Sequence, residues 1–349
     1  GEGVAASPNP VLGWVGSLSE VSKTSGYWVK LNEAALYQSP ESSNQTYENW
    51  DTDIHFGANL VAYPCFASYD IASIPDEFEE YFYSGIIGEG VAATYNPVIG
   101  WVGSLTDFKP GEGYWLKSNE DFSGFYWDCP ELTCEQPQSR EELVEYEMPE
   151  ELEYVQSSQQ AFYFISNLDL NQVEINEGDW IVAMHNNQAI GARAWIGPYT
   201  DIPAMGFDNS DYSINYIQNG EFPEFKLYKD GQMIELYGDI PEFSNLGINM
   251  IQLSDVDPSI PGEFILESAY PNPFNPSTTI NFGVSESVNV NISIYNVQGQ
   301  QIKVLQNGFM DAGYYQKTWN ASGYPSGIYV VRMSTDTGFS FNQKIVLVK

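Results

Sequence analysis

Short runs of alternating apolar and polar residues recur along this chain, each closed by turn residues. Thr279-Ile280-Asn281-Phe282, Val288 to Ile294 and Ile328 to Met333 alternate with period two and are rich in β-branched side chains. That pattern predicts strands with one buried face, separated by turns at Gln298-Gly299 and Asp336-Thr337-Gly338. Upstream, Ala161-Phe162-Tyr163-Phe164-Ile165 and Trp180-Ile181-Val182-Ala183-Met184 are strand-like runs, with turns at Gly178-Asp179 and Asn186-Asn187. The second turn predicts a tight hairpin returning along Gly191-Ala192-Arg193-Ala194-Trp195. Phe222 to Tyr228, followed by Lys229-Asp230-Gly231, gives one more strand and turn. The expected fold class is all-β: several β-sandwich-like modules in tandem, the last of them immunoglobulin-like.

A long-period repeat sets the domain order. Gly1-Glu2-Gly3-Val4-Ala5-Ala6 recurs as Gly88-Glu89-Gly90-Val91-Ala92-Ala93. Gly13-Trp14-Val15-Gly16-Ser17-Leu18 recurs as Gly100-Trp101-Val102-Gly103-Ser104-Leu105, and Gly26-Tyr27-Trp28-Val29-Lys30 as Gly113-Tyr114-Trp115-Leu116-Lys117. The displacement is 87 residues throughout. A period above the roughly 20–50 residues of a solenoid means tandem domains. The expected divisions are a partial β module over 1–49, lacking its N-terminal half, and a complete copy over 50–129. An acidic linker over 130–153, a third β module over 154–256 and a short linker over 257–263 follow. A C-terminal domain over 264–349 completes the order.

In Tyr270-Pro271-Asn272-Pro273-Phe274-Asn275-Pro276, three prolines remove three backbone donors and push the preceding residues toward extended geometry. Such a stretch is a linker or an edge at the start of a domain, not a central strand. Taken with Ile292-Ser293-Ile294-Tyr295-Asn296, Ser326-Gly327-Ile328-Tyr329 and the final Lys344-Ile345-Val346-Leu347-Val348-Lys349, it closely resembles the C-terminal sorting domain of proteins exported by the type IX secretion system of Bacteroidetes and related bacteria. The resemblance implies the cell surface or the medium as destination and the type IX machinery as partner. It assigns the sorting motif to Tyr270, Pro271, Asn272, Pro273, Gly327, Tyr329, Lys344 and Lys349. The complete repeat, with Asn59-Leu60-Val61-Ala62-Tyr63-Pro64 and Gly113-Tyr114-Trp115-Leu116-Lys117, is similar to small all-β modules of secreted proteins from such bacteria. The stretch from Gly178 to Arg193 is similar to a module placed before such sorting domains.

Composition narrows the partners. There are 47 acidic and 13 basic residues, a net charge of −34. Binding nucleic acid or an anionic membrane needs a basic footprint, so both are excluded as expected partners. No apolar run approaches the roughly 20 residues that span a bilayer. The N-terminus carries neither a basic n-region nor an apolar h-region. Three cysteines suit an extracytoplasmic protein. Cys129 and Cys134 flank a short loop beginning with Pro130 and are the expected disulfide, which leaves Cys65 over.

Candidate chemistry is sparse. The chain has no His-Glu-x-x-His, Gly-x-Ser-x-Gly or Walker loop. A triad has only His55 and His185 to draw on, and His185 sits at the predicted Asn186-Asn187 turn. No cofactor is expected, with calcium the one ion composition favours. Asp208 and Asp211, in Asp208-Asn209-Ser210-Asp211, are its weak candidates, against the reading that this is a turn cluster. Strand alternation places Trp28 with Lys30, and Trp115 with Lys117, on one face. That face suits a core layer, a module interface or a sugar-stacking platform. The sequence favours a non-enzymatic secreted structural or adhesive protein, such as a stalk or a fibre subunit that self-associates. The alternative is the non-catalytic C-terminal region of a larger secreted hydrolase, with a carbohydrate- or surface-binding role.

Overall fold

The repeat seen in the sequence returns as a repeated hairpin. The computed structural model describes residues 6–11, 13–22, 25–29, 51–65, 67–129, 146–171 and 173–349. In the first copy β1 (Ala6–Asn9) pairs with β2 (Gly13–Gly16), with Ala6 opposite Gly16 and Pro8 opposite Trp14. The second copy contains β3 (Thr52–Ile54), β4 (Gly57–Ala62), β5 (Tyr69–Asp70), β6 (Ile86–Ile87), β7 (Ala92–Asn96) and β8 (Gly100–Gly103). It is completed by β9 (Asp107–Phe108), β10 (Gly113–Ser118) and β11 (Phe122–Phe125). There Ala93 stands opposite Gly103 and Tyr95 opposite Trp101, so both hairpins share one register.

The second copy is built on a five-stranded sheet in the order β4-β10-β6-β7-β8. Along β10 the alternation runs as expected. Tyr114 and Leu116 are fully buried in a core with Phe82, Phe108 and Phe125, whereas Trp115 and Lys117 face the other way. The segment after β4 and the C-terminal end of this module are tied by a disulfide between Cys65 and Cys129, with Cα atoms 5.4 Å apart. The expected Cys129–Cys134 pairing is thereby corrected; Cys134 lies outside the described residues. Proximity in sequence misled, because Trp127 donates its indole N–H to the Ala62 carbonyl (3.0 Å) and so lays the strand end at Cys129 beside Cys65.

The third module packs two sheets face to face. β12 (Gln160–Asp169), β15 (Thr200–Met205) and β18 (Ile248–Ser254) form one, in the order β15-β12-β18. β13 (Trp180–His185), β14 (Gln188–Ala194), β16 (Glu224–Lys229) and β17 (Gln232–Leu236) form the other, in the order β14-β13-β16-β17. The continuous apolar runs of β12 and β13 now have a cause: each run is covered on both faces. On β12, Ala161, Tyr163 and Ile165 enter the sandwich core, while Phe162 and Phe164 pack on Ile87, Ala92, Val102 and Trp115 of the repeat module. On β13, Ile181 and Ala183 face the core, while Trp180, Val182 and Met184 are covered by Tyr146, Met148, Leu152 and Tyr154. The expected acidic linker over 130–153 is corrected accordingly: residues 146–153 belong to the third module, and 130–145 lie outside the described residues.

Polar groups fix the register of the repeat module against the third. Ser104 donates to Asp201 Oδ2 (2.7 Å), and Arg193 reaches that same oxygen (3.2 Å) and the Gly90 carbonyl (2.7 Å). Gln160 donates to the Gly88 carbonyl (2.9 Å), and Lys117 to the Leu246 carbonyl (2.8 Å). Gly103, at φ +122°, is required here, since a Cβ would strike the Ala92 carbonyl oxygen and lie 2.8 Å from Phe164. Residues Gly1–Asp255 accordingly form one compact unit.

The second unit is Val256–Lys349. It includes the stretch 257–263 expected as a linker, in which Pro261 is buried. Its strands are β19 (Ile265–Leu266), β20 (Ser277–Val284), β21 (Val288–Asn296), β22 (Gln301–Met310), β23 (Gly313–Asn320), β24 (Gly327–Thr335) and β25 (Ser340–Leu347). Sheets β19-β20-β23 and β22-β21-β24-β25 sandwich a core that includes Phe282, Ile292, Trp319, Val331 and Ile345.

The Arg193–Asp201 pair yields a prediction. Burial raises the Asp201 carboxyl above its usual range, against the pull of Arg193, Ser104 and backbone donors. Arg193→Met leaves that carboxylate buried and unpaired, which costs about 3–5 kcal/mol at neutral pH. A folded-state pKa raised above the unfolded one contributes stability that is present at low pH and lost as pH rises through the folded value. The penalty of R193M, read from denaturant melts of the first unit, should therefore shrink as pH falls. A penalty independent of pH would contradict this assignment.

Candidate functional site

The three sequence motifs of the C-terminal unit converge on one end of its sandwich. Tyr270 and Thr279 exchange backbone hydrogen bonds (3.0 and 2.9 Å), which starts the proline segment beside β20. The segment then crosses to the opposite sheet. There Phe274 donates to the Val346 carbonyl (2.9 Å) and accepts from Val348 N–H (3.0 Å), forming a parallel bridge at the edge of β25. Prolines occupy 271, 273 and 276, so the N–H groups of Tyr270 and Phe274 carry the ladder bonds and no proline donor is missed.

Side chains lock the crossing. Asn272 accepts from Val346 N–H (2.9 Å) and donates to the Lys344 carbonyl (3.2 Å), standing in for a backbone partner on the free edge of β25. Phe274 is buried against Trp319, with ring centroids 5.4 Å apart. Trp319 in turn meets Tyr329 edge-on at 5.1 Å, and the Tyr329 hydroxyl donates to the Pro325 carbonyl (2.7 Å). In the β24–β25 register, Gly327 lies opposite Leu347, Tyr329 opposite Ile345, and Val330 opposite Lys344. Lys349 closes the site, its N–H donating to Ser326 Oγ (3.1 Å) and its ammonium to the Ser322 carbonyl (3.0 Å).

Residues 268–349 match the family described as the secretion system C-terminal sorting domain. They form a type IX secretion sorting domain. The protein is therefore marked for export to the cell surface or the extracellular space. No curated protein matches the chain. Among solved structures, dimeric latent PorU from Porphyromonas gingivalis is 10% identical over 76% of this chain and 29% of that one, with a TM-score of 0.21. A β-glucuronidase from Parabacteroides merdae is 8% identical over 54% of this chain and 24% of that one, with a TM-score of 0.18. The chain thus spans less than a third of either structure, and likenesses so slight carry no functional argument.

The sorting domain divides its motif residues into two roles. Tyr270 (80% exposed), Pro271, Asn272, Pro273, Gly327, Lys344 and Lys349 present an exposed strip at one end of the sandwich. Tyr329 is buried and holds that strip in place from below. Sequence reasoning passed over Trp319, Ile345 and Leu347, the core residues on which the strip rests. The alternation of Ile345 and Leu347 within the final segment was their available signal.

The remaining candidates serve local structure. Asp208 accepts from Ser158 Oγ, Ser210 N–H, Tyr212 OH and Ser213 Oγ, so its oxygens are directed at protein donors in a turn cluster. Asp211 opens a short 3-10 turn, Asp211–Ser213. Among the described residues no group of three His, Cys, Asp or Glu is arranged to hold a metal ion. His185 Nε2 lies 3.3 Å from Glu221 at the hairpin. Beside β8 an open cleft of about 880 Å³ is lined by Tyr95, Ile99 and Trp101, with Asp70, Glu79 and Asp107 around it.

The end of the sorting domain contributes to both the exposed strip and the core. Removing Lys344–Lys349 also removes Ile345 and Leu347, each a loss of about 2–5 kcal/mol by large-to-small measures. The truncated protein should keep the melting transition of residues 1–255, lose that of the sorting domain, and accumulate in the periplasm. Normal surface display of the truncated protein would refute this.

Proposed function

We propose that the chain is a non-catalytic, surface-displayed structural protein whose tandem β modules build a stalk or fibre after type IX export. The observation that carries the reading is how the chain uses its buried polar groups. Asp201, Arg193, Gln160 and Ser104, which an active site would draw on, are engaged in joining the repeat module to the next. Export delivers such a chain to the surface, and tandem β modules supply the repeated units that a stalk or fibre is built from. At a net charge of −34, copies repel one another at low ionic strength, and salt screens that repulsion beyond about 8–10 Å. Light scattering of the purified chain should therefore show association that grows with added salt or calcium, with no peptidase, esterase or glycosidase turnover. A strict monomer under every condition would rule the fibre reading out.

The cleft beside β8 favours a second reading, a binding region borne by a larger hydrolase. Tyr83 and Tyr95 stack at 3.9 Å, and Trp101 meets Tyr95 edge-on at 5.7 Å while donating its indole N–H to Glu79 (3.0 Å). Aromatic faces beside carboxylates suit the apolar faces and hydroxyls of sugar rings. On this reading, Trp101→Ala should abolish retention on an insoluble polysaccharide that holds the wild-type chain. Equal retention of both proteins would dismiss it.

A further inference from the structure

The cleft beside β8 joins aromatic faces to carboxylates, and its chemistry is one-sided. The carboxylates come from three elements: Asp70 from β5, Asp107 from β9 and Glu79 from the short helix Asp76–Glu79. Asp70 and Asp107 stand directly opposite each other in the antiparallel β5–β9 pair. Side chains so placed share one face, with Cβ atoms about 4.5–5.5 Å apart, and like charges there repel. An acidic pair in that position favours a cation beside it. Among the described residues no Lys, Arg or His lines the cleft, and no three acidic groups are arranged to hold a metal ion.

Hydrogen-bonding capacity points the same way, because the side-chain donors of the lining are already engaged. Trp101 Nε1 donates to Glu79 Oε1 (3.0 Å), Thr106 Oγ1 donates to Asp107 Oδ2 (2.6 Å), and Tyr95 is hydrogen-bonded to Tyr83. The side chains therefore present acceptor oxygens and aromatic faces to a ligand, beside the apolar groups of Ile71, Ile99 and Leu105. Sugar hydroxyls donate and accept at once, and their acceptor capacity meets no side-chain donor here. An ammonium or guanidinium group has donors only and is carried on an apolar stem. Its charge is attracted to the faces of Trp and Tyr, on which guanidinium planes also stack.

We infer that this cleft binds the arginine or lysine side chains of an extended basic segment of another protein. Trp101 is the aromatic platform, and Glu79, Asp70 and Asp107 are the charge partners. The Glu79–Trp101 bond fixes the platform and sets a carboxylate at its edge. The cleft volume, about 880 Å³, exceeds the needs of one side chain and admits neighbouring residues of the same segment. The field of a chain with net charge −34 speeds its encounter with a basic partner. This assignment goes beyond both readings above and needs neither fibre assembly nor an attached hydrolase.

The test uses the full chain and a fluorescein-labelled glycine–serine peptide bearing paired arginines, with binding followed by anisotropy at physiological salt. A counterpart with citrulline in place of arginine keeps the shape and removes the charge. The arginine peptide should bind about tenfold or more tightly than the citrulline peptide. Trp101→Ala and Glu79→Gln should each weaken it by about tenfold. Glu224→Gln, an equal change of charge at the start of β16, should leave binding unchanged. Should W101A fail to fold by circular dichroism, E79Q carries the test, because its amide oxygen still accepts from the Trp101 indole. Equal binding of the two peptides overturns the inference. So does arginine-peptide binding that survives both W101A and E79Q, which would be the work of bulk charge. A chain that ignores the arginine peptide yet holds a polysaccharide through Trp101 overturns it too, and leaves the cleft to sugars.

Discussion

The first part of strand Gln160–Asp169, Gln160 to Ile165, is buried on both faces, and the first unit is organised around that constraint. Phe162 and Phe164 are fully buried against the repeat module while their neighbours fill the sandwich core. Burying one such side chain is worth about 1.5–3 kcal/mol. The ion pair beside them is close to break-even once desolvation is counted. Apolar contact therefore drives the docking, and the Asp201, Arg193, Gln160 and Ser104 network selects its register. Exposing Phe162 and Phe164 would cost that burial, which is why two sequence modules become one folded unit.

The C-terminal sorting domain solves a different problem with similar means. The free edge of its last strand would expose a row of unpaired groups, a liability for any secreted β protein. The proline segment covers that edge: Phe274 takes the bridge, Asn272 supplies side-chain bonds, and the prolines offer no donors for a further strand. Because the segment that opens the domain is bonded to the strand that ends it, the exposed strip of Tyr270, Gly327 and Lys344 is assembled only when the whole domain has folded.

Much of this was legible in the sequence, for identifiable reasons. Period-two runs and Gly, Asn and Asp turns gave the strands of the sorting domain and the Asn186-Asn187 hairpin, because those signals are local. The Cys65–Cys129 bridge was not legible, since it depends on Trp127 reaching Ala62 across the module. Residues 146–153 read as linker because glutamates dominate them. Yet Tyr146, Met148 and Leu152 recur among those glutamates, and they cover the outer face of β13. The runs at Ala161 and Trp180 lacked alternation, and that lack was itself the sign of a strand covered twice.

Trp115 shows how sequence and structure divide the work. Alternation placed Trp115 and Lys117 on one face and left open whether that face was core, junction or sugar platform. The structure resolves it as a junction: Trp115 packs with Phe162 and Phe164, and burial lowers the affinity of the Lys117 ammonium for its proton while it donates to the Leu246 carbonyl. Only 13 residues of the chain are Lys or Arg, and Lys117 and Arg193 both donate to carbonyl oxygens across this one contact. In a chain carrying 47 acidic residues, two cations at a module junction remove repulsion where surfaces must approach and leave it everywhere else. The cations thus sit where the repeat module and the third must approach, so the apolar packing of Trp115 on Phe162 and Phe164 acts there without a charge penalty.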